Sequence, residues 1–330
     1  MTARSTRRQM LAVAGASAAA AGLAGNAGAG PLSLKGKSAL ITGASSGFGR
    51  LTALHLARAG AVVVASMRNL KGGKRVEAQE LADIARDEKL KLSVVEIDVT
   101  KPDTIAAGVA AAFAKAGGKL DLLMNNAGVG IGGPIEFNDE KAVADAVDVN
   151  LLGYHRMARA VLPAMRKRRE GLIAAVSSQL GRIVLPNIGV YCATKFGVEA
   201  MFETLAYELA PFGVEVTIVQ PGGYPTKIWD TGRRLGEEVE ARADGERKEA
   251  YAGHLALARG FMTGPRQTDP MDVPRAVAEI LALPVGKRPL RRPVHPNSQA
   301  MTAANAALAQ IEASVLGNGP YKDWHAAVVD

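Results

Sequence analysis

Tyr191 and Lys195 stand four residues apart in a stretch of helical periodicity, so a phenol and an ammonium share one helix face. A phenol ordinarily ionises near pH ~10, too high for an efficient base at neutral pH, and a nearby ammonium favours its phenolate. Such a pair suits proton exchange with a substrate oxygen. Ser178 and Asn150 lie upstream and could add a hydroxyl and a carboxamide. Each residue also has an ordinary reading: Tyr191 an interfacial aromatic, Ser178 a loop hydroxyl, Asn150 a helix-start residue. Ser177 competes with Ser178, and Cys192 beside Tyr191 reads as a small buried residue.

The elements that must position these groups alternate along the chain. Apolar runs of strand length fall at 38–42, 62–66, 92–97, 120–125, 172–176 and 214–219, with helix-like stretches such as 50–59 and 191–210 between them. Most runs are continuously apolar, as expected of parallel strands buried on both faces. Repeated βα units predict an α/β fold, a Rossmann-like doubly wound parallel sheet in a single domain over 30–330. The segment from about 223 to 269 is richer in charge, Gly and Pro and reads as a lid over the strand ends. A last edge strand is expected in 288–294 and a terminal helix in 300–316, within the C-terminal tail.

The first strand runs into Thr42-Gly43-Ala44-Ser45-Ser46-Gly47-Phe48-Gly49 and then directly into a helix. Gly43 permits the tight turn, Gly47 lets backbone approach a pyrophosphate, and Gly49 lets helix and strand pack closely. Helix N–H groups, with Ser45, Ser46 and Phe48 in the turn, then face the phosphates of a dinucleotide. The second strand ends Ala65-Ser66-Met67-Arg68, with no acidic residue to hold a ribose 2′-hydroxyl. Arg68 can pair with a 2′-phosphate, which favours NADP(H) over NAD(H); the alternative is a solvated surface arginine.

Taken together, the chain resembles the short-chain dehydrogenase/reductase family over about residues 34–294. The resemblance rests on the GxxxGxG turn, Asn125-Asn126-Ala127-Gly128, Asn150, Ser178, Tyr191-x-x-x-Lys195 and Pro221-Gly222, in the family's order. It implies an oxidoreductase that interconverts a ketone and a secondary alcohol by hydride transfer at the nicotinamide, with Tyr191 as acid/base. It further implies that Lys195 holds the nicotinamide ribose, Ser178 bonds the substrate oxygen, and Asn150 supports a proton relay through water. Ser178 fits the family's interval to the tyrosine. Asp98 resembles the adenine-side contact, the lesser alternative being a strand-end cap. Asn126 and Gly128 resemble supports of the cofactor pocket, and Thr226 the hydroxyl that meets the nicotinamide carboxamide. The family also implies a homodimer or homotetramer pairing through helices near 151–166 and 191–210. An NADP(H)-binding sensor or scaffold without turnover is the alternative from a different class; an epimerase or dehydratase is disfavoured by the short substrate segment.

The substrate expected is a small-molecule ketone or alcohol, apolar if Ile131, Ile183, Val184 and Leu185 line a pocket rather than ordinary core. A single cysteine excludes an internal disulfide, and five histidines far apart in sequence give no metal-ligand spacing. Thus no metal is expected. The formal charge of +8 includes Arg4, Arg7 and Arg8; without them it is +5, from 37 basic and 32 acidic residues. The basic run 166–169 closes a predicted helix, where it favours the negative end of the macrodipole, and no aromatic residues interleave it as nucleic-acid binding would require.

Residues 1–29 are unlike the rest. Thr6-Arg7-Arg8-Gln9-Met10-Leu11, a weakly apolar stretch to Leu23, and Ala27-Gly28-Ala29 resemble a twin-arginine signal peptide, implying export to the periplasm. A frayed tail, or translation from Met10, would leave the protein in the cytoplasm.

Overall fold

The structure, a computed structural model, describes residues 32–70, 72 and 74–328. The twin-arginine segment lies outside the described residues. In chain order the elements are β1 (Ser38–Ile41), α1 (Gly47–Arg58), β2 (Val62–Met67), α2 (Val76–Asp87), β3 (Leu92–Glu96), α3 (Pro102–Lys115), β4 (Leu122–Asn125), α4 (Glu140–Val147), α5 (Gly153–Arg168), β5 (Gly171–Val176), α6 (Gly189–Leu209) and β6 (Val214–Pro221). They continue through α7 (Ile228–Arg242), α8 (Gly245–Ala250), α9 (Ala252–Thr263), α10 (Asp272–Ala282), β7 (Arg291–Val294), α11 (Gln299–Leu316) and α12 (Lys322–Ala326). The expected edge strand is therefore shorter than 288–294, and the terminal helix begins one residue early.

The seven strands form one parallel sheet in the order β3-β2-β1-β4-β5-β6-β7. The two-residue alternation of a strand divides its side chains between two cores. Ala39 and Ile41 of β1, Leu122 and Met124 of β4, and Leu172 and Ala174 of β5 face one core, closed by α1, α2 and α10. Leu40, Leu123, Ile173 and Ala175 face the other, closed by α3, α5 and α6. Because both faces are covered, these strands carry no polar alternation. Each fully buried Leu or Ile contributes about 1.5–3 kcal/mol.

The chain leaves β1 toward β2 and β3, then returns to the other side of β1 as β4. Strand order reverses at β1 and β4, which opens a crevice beyond their carboxyl ends. Thr42 ties that point together: its Oγ1 accepts from the N–H groups of Asn126 at 2.9 Å and Ala127 at 3.0 Å. The basic run at 166–169 closes α5 as expected. Arg168 donates to the Leu120 carbonyl at 2.7 Å and Arg169 to that of Pro211 at 2.8 Å.

Between α4 and α5 the backbone loosens into a π-helical turn, Asp148–Leu152. The expected helix start near 151 is thus a bulge in a longer helical run. Such turns displace one residue from helical register, and here the segment carries Asn150.

Candidate active site

The turn after β1 is shaped by backbone constraints. Gly43 has φ +67°, and a Cβ there would meet Ala127 Cα at 2.8 Å. At Gly49 a Cβ would lie 2.5 Å from both the Gly43 carbonyl oxygen and Asn126 Nδ2. No side chain caps the first turn of α1, whose N-cap Ser46 is extended. Its orphan N–H groups can therefore receive an anion. Asn126 supports the turn from behind, its Nδ2 donating to the Thr42 carbonyl at 2.9 Å.

Arg68, just past β2, is exposed and lines the same groove. Arg75 joins it there, donating to the Arg68 carbonyl and forming an ion pair with Glu77 at 3.0 Å. Asp98 lines the same groove, close enough to Arg68 to feel its charge. One of its carboxylate oxygens accepts from the Thr100 N–H at 3.0 Å and the Thr100 hydroxyl at 2.7 Å. Burial pushes this carboxyl up, but the Thr100 bonds outweigh it and hold the group below its ordinary value. Asp98 thus caps a local turn while its residue also walls the groove.

Ser178 follows β5 and turns the chain: its Oγ accepts from the Leu180 N–H at 3.1 Å and faces the Pro221 carbonyl at 3.5 Å. Ser177 points elsewhere, its Oγ only 2.6 Å from where a Cβ on Gly181 would lie. Tyr191 and Lys195 lie one turn apart on α6, the ammonium nitrogen 5.6 Å from the phenol ring centroid. Lys195 is 3% exposed, and its Nζ donates to the Val176 carbonyl at 2.8 Å. Burial dominates both groups. It raises the Tyr191 phenol to about 12, against the opposing hydrogen bond from Ser178. Likewise, burial lowers Lys195 to about 7, against the attraction of Glu199.

Both ends of the Asn150 carboxamide are engaged. Oδ1 accepts from the Val129 N–H at 2.8 Å, while Nδ2 donates to the Val129 carbonyl at 2.9 Å and to Thr194 Oγ1 at 3.1 Å. Thr194 Oγ1 donates in turn to the Tyr191 carbonyl at 2.8 Å. The side chain therefore positions the strand β4 exit against the turn of α6 that carries Tyr191.

Two spaces meet at this point. A long groove is lined by Gly43, Ser45, Ser46, Gly47, Phe48, Arg68, Asp98, Asn126, Gly128, Ser178, Tyr191, Lys195, Pro221, Gly222 and Thr226. Gly49 and Asn150 stand behind its wall rather than in it. The second space is a mainly apolar cavity of about 910 Å³, open solvent at its mouth included. Ser178 and Tyr191 line both spaces. Of the apolar residues expected around substrate, Ile183 and Leu185 line the cavity. Val184 is exposed, whereas Ile131 packs with Phe137, Val239 and Leu255 in a separate core cluster.

The sequence reading missed Arg75 and Lys227 in the groove, and Trp229 and Arg266 in the cavity. Arg75 follows Arg68 closely enough that the local cluster of basic residues was a usable signal. Nothing local marks Arg266, which reaches the cavity only through the path of α7 to α9.

This groove fits an extended dinucleotide: an uncapped helix end meets the glycine turn, a cation stands past β2, and a phenol and a lysine meet at the far end. Comparison with known proteins agrees. The chain is 38% identical over 191 residues to a 3-ketodihydrosphingosine reductase of Bacteroides thetaiotaomicron, covering 58% of this chain and 65% of that one. A short-chain dehydrogenase/reductase of Burkholderia phymatum in complex with NAD superposes with a TM-score of 0.68 at 29% identity, covering 87% of this chain and 96% of its own. A gluconate 5-dehydrogenase of Burkholderia cenocepacia in complex with NADP and tartrate gives 0.55 at 30% identity, covering 60% and 75%. The family model for short chain dehydrogenase matches residues 37–234, more than half of the chain, so this protein belongs to the short-chain dehydrogenase family and is an oxidoreductase.

Proposed function

We propose that the protein interconverts a ketone and a secondary alcohol with NADP(H), using Tyr191 as the proton donor and acceptor. The observation that carries this reading is the position of Tyr191 on the shared wall of the nucleotide groove and the apolar cavity. The nicotinamide, when bound, supplies the hydride to the carbonyl carbon and takes it back in the reverse direction. In reduction the Tyr191 O–H gives its proton to the carbonyl oxygen; in oxidation the phenolate removes the alcohol proton. Burial favours the neutral phenol, which suits the donor role. A protonated Lys195 beside the ring eases loss of that proton. Its Nζ, anchored on Val176, has further N–H groups to offer the nicotinamide ribose. Ser178 orients the substrate oxygen, and Asn150 positions the helix that carries Tyr191.

The choice of NADP(H) rests on Arg68, a cation where the adenosine ribose would rest, with no carboxylate beside it on β2. Arg75 adds a second cation once a 2′-phosphate competes with Glu77 for it. Leu152 and Phe196, large apolar side chains exposed at α5 and α6, support assembly into a dimer or tetramer.

The test is NADPH oxidation by the purified protein against a panel of ketones, with NADH in parallel. The reading predicts turnover with at least one ketone and a preference for NADPH. Tight binding of the nucleotide with no turnover across the panel would favour a sensor or scaffold instead.

A further inference from the structure

The cavity beyond Tyr191 is mainly apolar, and its lining contains a single charged residue, Arg266. The guanidinium carbon lies over the Trp229 ring, 3.4 Å from its centroid. Nη1 donates to the Gly264 carbonyl and Nη2 to the Phe261 carbonyl, each at 2.7 Å. These contacts fix the plane but neutralise none of the charge. A guanidinium carries five N–H donors in a rigid fork. Two are thus engaged, and Nε–H has no acceptor among the described residues. Nε lies 3.9 Å from where a Cβ on Gly223, also in the cavity lining, would be.

Its neighbours make this unpaired state informative. The segment from 223 to 269 contains six arginines. Arg233, Arg234, Arg242, Arg247 and Arg259 each pair with a carboxylate. Arg266 pairs with none among the described residues, although it is only partly exposed and lines a mainly apolar cavity. Holding a cation in an apolar cleft without an anion is unfavourable, and burial accordingly lowers its proton affinity. A ligand that brings an anion relieves this cost.

We infer that Arg266 binds the carboxylate of the substrate, so the cavity takes a ketone or alcohol whose apolar body ends in a carboxylate. This rests on the oxidoreductase reading and specifies its substrate class. The body packs against Ile183, Leu185 and Met262, while the reacting carbon sits at Tyr191 and Ser178, all walls of the same cavity. A carboxylate fits better than a phosphate dianion, because one cation leaves the second charge of a dianion unneutralised among apolar side chains. The fixed plane of Arg266 also suits the paired oxygens of a carboxylate.

The test has a binding arm and a turnover arm. Calorimetric titration of the NADP-loaded protein compares decanoate, methyl decanoate and decyl phosphate. Decanoate is expected to bind roughly ten- to a hundredfold more tightly than the ester, with decyl phosphate no tighter than decanoate. Arg266→Gln should erase the preference for decanoate, and Arg266→Lys should keep part of it. Turnover of a long-chain oxo-carboxylate and its methyl ester should differ in KM far more than in kcat, and Arg266→Gln should raise KM for the acid alone. Equal binding of decanoate and its ester by the wild type would overturn the inference even if the variants do not fold. An equal loss for acid and ester in Arg266→Gln would make the residue a staple between α9 and Trp229. Tighter decyl phosphate would reassign the site to phosphate. Arg266-dependent decanoate binding without turnover of either ketone would count against reduction of a ketone at Tyr191 in this cavity and leave the carboxylate site standing.

Discussion

The two walls that meet at Tyr191 are built differently. The nucleotide wall is made of strand ends and the turns that follow them, with backbone atoms so close that a single Cβ at Gly43 or Gly49 would collide with main chain. The opposite wall comes from α7, α9 and the loop before α6. Gly253 and Gly260 of α9 have nothing within 4 Å of an added Cβ. Cβ atoms added at Gly232 and Gly236 of α7 would meet Met262 and Gly132 at 3.1 and 3.3 Å, side chain and main chain that must give only slightly. The wall's arginines form ion pairs that are largely exposed, and such pairs contribute only ~0–1 kcal/mol each. One wall is held by close packing that tolerates no change. The other is held by side chains that can be exchanged without disturbing the sheet, which is where substrate preference can vary while the chemistry stays fixed.

The sharpest way to break this contrast is to add one methyl group on each side. Gly49→Ala should destabilise the fold by about 1–3 kcal/mol, because the new Cβ must push apart α1 and the turn that packs on it. Nucleotide affinity should fall with it, measured by denaturant unfolding and calorimetry on the same preparation. Unchanged stability and affinity would mean that the turn is more compliant than its contacts imply.

A smaller effect is expected from charge rather than packing. Arg68→Ala should weaken NADP(H) by roughly ten- to a hundredfold, the value of one charge-assisted hydrogen bond, and leave NAD(H) nearly unchanged. Equal weakening of both cofactors would remove Arg68 as the selector and point to Arg75. The smallest effect belongs to the other wall. Gly253→Ala, exposed in the first turn of α9, should stabilise the protein by about 0.4–1 kcal/mol by reducing the freedom of the unfolded chain and leave turnover unchanged. A loss of stability there would show that α9 is more tightly packed than the space around Gly253 suggests.

The same contrast explains what could be read from the sequence. The glycine turn, the buried strands and the pair Tyr191 and Lys195 impose local constraints, so their spacing alone reveals them. Asn150 was visible as a residue, but the π-helical turn that presents it was not, because the turn depends on how α4 and α5 dock on the sheet. Ile131 shows the limit most clearly: its apolarity suits cavity and core equally, and only the packing of Phe137, Val239 and Leu255 assigns it to core. Arg266 was invisible for the same reason. Its partner Trp229 is distant in sequence, and no pattern links them. Nor does the neighbouring lysine set the Tyr191 phenol in the structure: burial raises it against the Ser178 hydrogen bond, a tertiary effect that spacing does not report.

The central claim is that Tyr191 carries the proton, and the pH dependence of both directions in wild type and Tyr191→Phe tests it most directly. Burial raises the phenol to about 12 in the free protein, so the neutral donor predominates across the ordinary assay range. Reduction by the wild type should therefore lose nothing to the phenol's own titration between about 6 and 9. It should fall only as Lys195, lowered by burial to about 7, gives up its proton, whereas oxidation, which needs the phenolate, should rise with pH. Tyr191→Phe should lower both rates by roughly 10²–10⁴-fold, the usual contribution of a positioned acid/base, and leave the nucleotide dissociation constant nearly unchanged. Comparable rates in the variant, or an oxidation rate that ignores pH in the wild type, would contradict the assignment.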